Sequence, residues 1–262
     1  MSVALHREVS GPEDGPLLVL GSSLGTTGAL WAPQLPAWEP HLRLVRYDHR
    51  GHGGSPVPPG PYSLEQLAGD VLALLDDLGI ERASVGGVSL GGMIAMWLAA
   101  HAPERVERLV VCCSSAHMPP ASAWHERAAA VRAAGSVGAV VDAVAERWTT
   151  PGFRAAHPEV VEGLRAMLVE TPPEGYAGCC EAIAGTDLRA ALPSISAPTL
   201  VIVGEQDPAT PPPHGRAIAG AVPGARLESL SPAAHLAGVE QPDACAALIL
   251  EHLDLDHNKE QR

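Results

Sequence analysis

A serine set between two glycines, in the first half of the chain, is the feature that most constrains the fold. Residues 83–92 read ASVGGVSLGG; their apolar first part predicts a buried strand end, and residues 93–101 predict the helix that follows. Small neighbours allow Ser89 a strained backbone at this strand-to-helix turn, which pushes its hydroxyl outward. The Leu90 amide is left at a helix N-terminus, where it can hold a developing negative charge. The alternative is a glycine-rich turn whose serine only caps a helix.

Four other apolar runs, each followed by Gly, Ser or Asp, predict buried and mostly parallel strands. They are residues 17–20, 42–47, 109–113 and 199–203. Residues 63–78 combine a capping box with apolar side chains at helical spacing, so they predict a helix packed on the sheet. Strands that alternate with helices indicate an α/β fold with a doubly wound sheet, whose ligands bind beyond the carboxyl ends of the strands.

The strand pattern stops at about residue 118 and resumes after residue 187. The sequence between is alanine-rich and helical, and it is broken by TTPG at 149–152 and TPPEG at 171–175. We interpret 118–187 as a helical cap inserted into a core made of residues 1–117 and 188–262. Both parts belong to a single domain, because the chain length does not require two.

Composition excludes several classes of function. The formal net charge is -13, and no basic stripe is present that could neutralise phosphates, so we expect no nucleic-acid partner. An acidic protein that binds an anion must supply a local cation. Five cysteines lack the spacing of a disulfide framework or a zinc site, and neither a leader nor a membrane span is evident. We therefore expect a cytoplasmic protein with no membrane contact and no metal; its oligomeric state is left open.

A serine hydroxyl needs a base, and the base needs an orienting acid. Asp207 lies in the loop after a predicted strand, and His235 lies in a loop of small residues after the last predicted strand, 226–230. The order Ser, Asp, His therefore predicts a catalytic triad of Ser89, Asp207 and His235. Two alternatives stay open: Asp207 could be an ordinary acidic turn, with Glu205 as the rival acid, and His235 could be a structural loop histidine.

The second oxyanion donor should come from the loop after the first core strand. Residues 21–26, GSSLGT, supply a tight turn there, and we select the Leu24 amide to act with that of Leu90. A plain glycine turn is the alternative. Residues 47–55, YDHRGHGGS, lack the lysine of a phosphate-binding loop and the spacing of a zinc motif, so they predict a hydrogen-bonded turn that braces the strand ends.

The serine turn, the 48–55 turn and the order Ser, Asp, His together resemble the α/β-hydrolase superfamily over nearly the whole chain. Within it, the sequence is most similar to the 3-oxoadipate enol-lactonases of bacterial aromatic-compound breakdown. The strings that carry this resemblance are GT at 25–26, ERWTTPGFR at 146–154, TPPEGYAGCC at 171–180, DPATPP at 207–212 and AHLAGVEQP at 234–242. The chain departs from the pattern at Ser22, where Asn is usual, and at Val88, where Leu is usual.

The resemblance implies the α/β-hydrolase fold: a mostly parallel twisted sheet, helices on both faces and an inserted helical cap. It also implies hydrolysis of 3-oxoadipate enol-lactone, a small anionic lactone, through an acyl-enzyme and without metal or organic cofactor. Such a substrate needs a cation and an apolar wall, for which we select Arg147 and Trp148, with Trp124 as a weaker wall candidate. Each of these three could instead serve packing alone.

Two other classes of function stay open. The same fold could act on a different ester-like substrate, as a carboxylesterase or a cofactor-free haloperoxidase. It could also be a non-catalytic ligand-binding protein, although such proteins commonly lose a triad residue and all three are present here.

Overall fold

Seven strands form one sheet in the computed structural model, which describes residues 2–254. They are β1 (Arg7–Ser10), β2 (Leu17–Gly21), β3 (Arg43–Tyr47), β4 (Ala83–Val88), β5 (Val106–Cys112), β6 (Thr199–Gly204) and β7 (Arg226–Leu230). Their order across the sheet is β1-β3-β2-β4-β5-β6-β7; β1 is antiparallel to β3, and every other neighbouring pair is parallel. The predicted α/β fold with a mostly parallel sheet is confirmed.

Eleven α-helices lie within the described residues. They are α1 (Leu35–Trp38), α2 (Leu64–Asp77), α3 (Leu90–His101), α4 (Ala121–Ala134), α5 (Val141–Trp148), α6 (Pro151–Ala156), α7 (Pro158–Glu170), α8 (Pro173–Ala184), α9 (Pro212–Ala221), α10 (Ala237–Glu240) and α11 (Pro242–His252). Helix α3 packs against β2, β4 and β5, and α9 packs against β6 and β7. Across residues 2–254, no helix has the length and apolar character needed to cross a membrane.

Two parts of the sheet differ from the sequence-based expectation. Strand β1 was not predicted, because its sequence REVS has one apolar residue and it lies half-exposed at the sheet edge. Strand β5 begins at Val106, three residues before the predicted start, since Glu107 and Arg108 interrupt the apolar run. It ends before Cys113, whose φ of 43° is incompatible with continued strand pairing.

Helix α2 begins and ends as its sequence predicts. The Gln66 amide donates to Ser63 Oγ over 3.2 Å, and the Ser63 amide donates to Gln66 Oε1 over 3.0 Å, which completes the capping box. Gly79 follows with a φ of +66°, the left-handed conformation that commonly ends a helix. The amphipathic pattern buries one face of this helix against the core.

Helices α4 to α8 all lie between β5 and β6, within the predicted cap 118–187. At the base of this segment His117 and Asp187 form an isolated antiparallel bridge. Helices α4 and α8 pack together, and Arg132 joins them by ion pairs to Glu174 at 2.8 Å and Glu181 at 2.5 Å. The division into core and cap at these residues remains our interpretation of the chain.

Helix α8 rests directly on the turn that follows β3. Gly175 approaches Gly51 so closely that a Cβ on either residue would collide with the backbone of the other. Beside this contact, the Gly60 amide donates to Glu174 Oε1 over 2.7 Å, and the Cys179 thiol points at the Arg50 carbonyl oxygen. The first turn of α8 is therefore fixed to the core by backbone shape as well as by polar contacts.

We predict opposite effects on stability for two glycine-to-alanine substitutions, one at this contact in α8 and one away from it in α7. Gly175→Ala should lower the free energy of unfolding by about 1–3 kcal/mol, because the added methyl group collides with Gly51. Gly163→Ala in α7 is the matched control, since a Cβ there meets nothing within 4 Å. It should raise stability by about 0.5–1 kcal/mol through helix propensity alone. Urea unfolding of both variants tests this, and similar effects in both would contradict the close contact.

Candidate active site

Ser89 lies between β4 and α3 in a backbone conformation that non-glycine residues rarely adopt. Its φ is 56° and its ψ is -112°, which costs about 1–3 kcal/mol in a typical protein. Two hydrogen bonds join it to the end of β5 and the residues after it: the Ser89 amide donates to the Cys112 carbonyl oxygen over 3.0 Å, and Ser114 Oγ donates to the Ser89 carbonyl oxygen over 2.7 Å. The sequence predicted this strained turn from its glycines.

Those glycines are required by close backbone packing. A Cβ on Gly87 would collide with the backbone of Gly91, and a Cβ on Gly91 would collide with the backbone of Gly21. The Gly91 amide also donates to the Ser22 carbonyl oxygen over 3.0 Å. The turn that presents Ser89 is therefore packed against the loop that follows β2.

His235 and Asp207 lie at adjoining ends of β7 and β6 and are hydrogen-bonded to each other. His235 Nδ1 lies 2.9 Å from Asp207 Oδ2. Because an ionised carboxylate can only accept, Nδ1 carries the proton and Nε2 is left as an acceptor. Glu205, the rival acid, is exposed, and its carboxylate accepts instead from Ser229 Oγ at 3.3 Å. The structure thus brings Asp207 to the imidazole.

The Asp207 carboxylate is buried and fully hydrogen-bonded. Its Oδ1 accepts from the amides of Ala209 at 2.7 Å and Thr210 at 2.9 Å, and its Oδ2 also accepts from Thr210 Oγ1 at 2.7 Å. Burial acts to raise the pKa of Asp207, but the positive charge of His235 and these hydrogen bonds outweigh it and hold the pKa below its usual value. Asp207 is therefore ionised when it orients His235. Thr210 was not identified from the sequence.

Ser89 and His235 line one cavity beneath the helical cap. The Ser89 hydroxyl makes no hydrogen bond within residues 2–254, so it is available to a ligand. Catalytic hydrogen bonds between nucleophile and base are often loose before substrate binds. The remaining lining residues are Ser23, Leu24, Met118, Trp124, Arg127, Val144, Arg147, Trp148, Tyr176, Ala209 and Thr210.

Two unpaired backbone amides lie where the sequence places oxyanion donors. Leu24 lines the cavity, and Leu90 directly follows Ser89 as the first residue of α3. The next amides along the chain, those of Gly25 and Gly91, donate to protein acceptors at 2.9 and 3.0 Å. Within residues 2–254 the amides of Leu24 and Leu90 have no acceptor, which leaves both available to a ligand oxygen.

All three predicted recognition residues line the cavity. Trp148 is buried, whereas Trp124 and Arg147 are half-buried. Sequence reasoning missed a second cation, Arg127, whose Cζ lies 4.6 Å from the centre of the Trp124 ring. Burial and the nearby charge of Arg127 lower the pKa of Arg147. Nothing local distinguishes Arg127 from the other charged residues of α4; only the fold shows that it lines the same cavity as Ser89.

Tyr176 adds a buried hydroxyl to the same cavity and was also missed. Burial raises the pKa of Tyr176, so its hydroxyl stays protonated. Arg127 acts on this hydroxyl electrostatically, but the hydroxyl has no hydrogen-bond partner of normal geometry within the described residues. An unpaired buried donor is costly unless a ligand satisfies it. Among residues 2–254, no group of three His, Cys, Asp or Glu side chains could hold a metal ion.

Comparison with known proteins agrees with this geometry. The model of the alpha/beta hydrolase fold family matches residues 16–242. The chain belongs to the α/β-hydrolase family. It is 43% identical to 3-oxoadipate enol-lactonase 2 of Acinetobacter baylyi over 92% of this chain and 90% of that protein. It is 42% identical to the crystal structure of the enol-lactonase from Burkholderia xenovorans, with a TM-score of 0.93 over 96% of this chain and 97% of that one.

A more distant relative carries a different name. The protein of Stutzerimonas stutzeri named "Putative carbamate hydrolase RutD" is 32% identical over 95% of this chain and 96% of its own length. The comparisons together support a hydrolase, and they leave more than one carbonyl substrate open within the family.

In this α/β hydrolase, the turn after β3 braces the loop that carries Leu24. The Gly25 amide donates to His52 Nε2 over 2.9 Å, and Asp48 accepts from the amides of Gly28 and Gly54. Because His52 Nε2 accepts a hydrogen bond, the imidazole is neutral. Burial, followed by the repulsion of His49, lowers the pKa of His52 to about 3. The turn is hydrogen-bonded as the sequence predicted, and its histidines are structural.

The lowered pKa makes stability depend on pH in a defined direction. Between pH 6.5 and 3 the unfolded chain binds a proton at His52 that the folded chain does not, so acid destabilises the fold. His52→Gln retains an acceptor for Gly25 but cannot titrate. On acidification from about pH 6.5 to 4.5, wild type should therefore lose up to about 1.4 kcal/mol per pH unit more than the variant. Urea unfolding at several pH values measures both slopes, and parallel slopes would refute the neutral buried imidazole.

Proposed function

We propose that this hydrolase opens 3-oxoadipate enol-lactone to 3-oxoadipate, with Ser89, His235 and Asp207 as its catalytic triad. The observation that carries the proposal is the pair of arginines, Arg127 and Arg147, in the same cavity as the Ser89 hydroxyl. A carboxymethyl-substituted lactone presents a carboxylate for such cations and a carbonyl carbon for the serine.

The charge around the cavity supports an anionic substrate. The chain has a net charge of -13, yet neither arginine forms an ion pair with a carboxylate within residues 2–254. Burial, followed by the repulsion of the neighbouring Arg127 guanidinium, lowers the pKa of Arg147. A substrate carboxylate would relieve that repulsion and bind by charge-assisted hydrogen bonds. The Tyr176 hydroxyl supplies a further donor, and Trp124 and Trp148 supply the apolar wall.

In the first half of the proposed reaction, Ser89 Oγ attacks the lactone carbonyl carbon while His235 Nε2 accepts the hydroxyl proton. Asp207 holds the proton on Nδ1 and stabilises the imidazolium. The negative oxygen of the tetrahedral intermediate is held by the amides of Leu24 and Leu90. The ring carbon–oxygen bond then breaks, and the leaving enolate takes a proton from His235 and tautomerises to a ketone.

In the second half, the whole ring-opened chain is attached to Ser89 as an ester, because the leaving enolate belongs to the same molecule as the acyl group. His235 removes a proton from water, which attacks the ester carbonyl, and the same two amides hold the second oxyanion. Collapse breaks the bond to Ser89 Oγ, and the proton on His235 returns to the serine. The product carries two carboxylates, and no cofactor enters either half.

The setting of the proposed reaction is the cytoplasm. All five cysteines are free and buried, which is compatible with a reducing compartment. The only partner that the proposal requires is the small anionic lactone itself.

The direct test is hydrolysis of freshly generated enol-lactone, followed by loss of its ultraviolet absorbance. Wild type should turn it over, and Ser89→Ala should lower kcat by at least about ten-thousand-fold, since removal of a triad nucleophile has effects of this size. Equal behaviour of the two proteins would remove Ser89 from the reaction.

Turnover of a carbamate ester but not of the lactone would favour the chemistry named for the Stutzerimonas relative. Failure of a fluorophosphonate to label folded wild type at Ser89 would favour a non-catalytic ligand-binding protein.

The arginine pair predicts a charge-selective loss. Arg127→Gln and Arg147→Gln should each lower kcat/KM for the lactone by about 10–100-fold, because each removes a hydrogen bond to a charged group. Their kcat/KM for a neutral aryl ester should change by less than about threefold. Arg216→Gln is the control, since Arg216 is exposed on α9 and does not line the cavity. Equal losses on both substrates would favour a general esterase.

A further inference from the structure

Glu240, the last residue of α10, is a buried carboxylate outside the reaction described above. Its Oε1 accepts from the Ala234 amide at 2.6 Å, and its Oε2 accepts from the Thr150 amide at 2.9 Å and from Thr150 Oγ1 at 2.6 Å. No cation pairs with it within residues 2–254. Burial of a carboxylate without a cation is costly unless hydrogen bonds saturate it, and three short ones do so here.

The two groups that Glu240 joins belong to different parts of the molecule. Ala234 precedes His235 in the loop after β7, and Thr150 caps the N-terminus of α6, two residues after the cavity residue Trp148. On the other side of His235, the Leu236 amide donates to the Trp148 carbonyl oxygen over 2.8 Å. Both residues that flank His235 are thus connected to cap residues 148–150, one directly and one through Glu240.

The opposite side of the same loop is held by the segment that leads to Asp207. The Gln206 amide donates to the Ala233 carbonyl oxygen over 2.8 Å, and Gly204 packs against the Ala234 carbonyl group. The loop that carries His235 therefore lies between the segment that leads to Asp207 and the cap. Hydrogen bonds to that segment fix one side of the loop, and the contacts to residues 148–150 fix the other.

We propose that Glu240 is a positioning residue for His235, and that it couples the seating of the cap over the cavity to the placement of the imidazole between Asp207 and Ser89. This inference rests on the proposed function of His235. Displacement of a reacting group by about 1 Å can lower a rate by about a hundredfold, so small shifts of this loop matter. Glu240 belongs to the string 234–242 and accepts hydrogen bonds from Thr150 in the string 146–154. Its carboxylate therefore joins two of the strings that carry the resemblance to enol-lactonases.

Two substitutions disturb the carboxylate's contacts without a large change in volume. Glu240→Gln has a single acceptor oxygen, so an amide NH2 must face a donor at either Ala234 or Thr150. Thr150→Val removes only the hydroxyl donor to Glu240, and Thr150→Ser restores it.

Thr150→Val also removes an N-cap, because Thr150 Oγ1 accepts from the Phe153 amide at 3.2 Å. Ser63→Ala is the matched control, since Ser63 Oγ accepts from the Gln66 amide at the same 3.2 Å at the start of α2. This control separates the loss of a helix cap from the loss of the contact with Glu240.

The primary measurement is the rate at which a fluorophosphonate labels Ser89 from about pH 5 to 9, below the Tm of every variant. Labelling reports the His235-activated serine and does not depend on the lactone. Glu240→Gln should slow it by about tenfold to a hundredfold, and lower kcat on the lactone to match, while KM changes by less than about threefold. Thr150→Val should have an intermediate effect, and Thr150→Ser and Ser63→Ala should label like wild type.

A merely structural role would lower Tm and leave the labelling rate and its pH profile unchanged. Labelling within twofold of wild type in both Glu240→Gln and Thr150→Val would overturn the inference. If Glu240→Gln does not fold, the Thr150→Val and Thr150→Ser pair decides the question. If wild type labels but does not hydrolyse the lactone, the proposed substrate fails, while labelling still tests Glu240.

Discussion

The left-handed backbone at Ser89 is the constraint on which the rest of the structure depends. It forces β4 to end and α3 to begin within one residue, and this requires glycine backbones to touch at positions 87, 91 and 21. Cys113, directly after β5, also has a positive φ, of 43°. A cost of about 1–3 kcal/mol at Ser89 is large against a typical net stability of about 5–15 kcal/mol. The buried strands and hydrogen bonds around the turn must offset it, so the core and the Ser89 turn are specified together.

The sequence predicted what depends on local pattern. The serine turn follows from its glycines, α2 from its capping box, and the meeting of Asp207 with His235 from their positions after adjacent strands. Strand β1 could not be predicted, because an edge strand with one apolar residue lacks the alternation of apolar and polar residues that a buried face produces. Arg127 and Tyr176 could not be singled out either, since only the packing of the cap decides which face of α4 or α8 meets the cavity.

In the proposed function, core and cap divide the chemistry between them. The core supplies the groups whose separation must stay fixed: Ser89, the imidazole, its carboxylate and the two free amides. The cap supplies the groups that sense charge and shape, since both cavity arginines come from α4 and α5. Because an acidic chain repels anions at long range, the proposed anionic substrate would have to be recognised at short range, by the two half-buried guanidinium groups. Under this proposal, substrate choice can change through the cap without rebuilding the proposed triad.

That division holds only if the cap sits in one place, and contacts near the starts of α8 and α6 help to hold it there. Near the start of α8, Gly175 touches the backbone of Gly51. At the start of α6, residues 148–150 bond to Leu236 and, through Glu240, to Ala234. These contacts lie within the strings at 146–154, 171–180 and 234–242, so the segments that carry the resemblance to enol-lactonases also join the cap to the core.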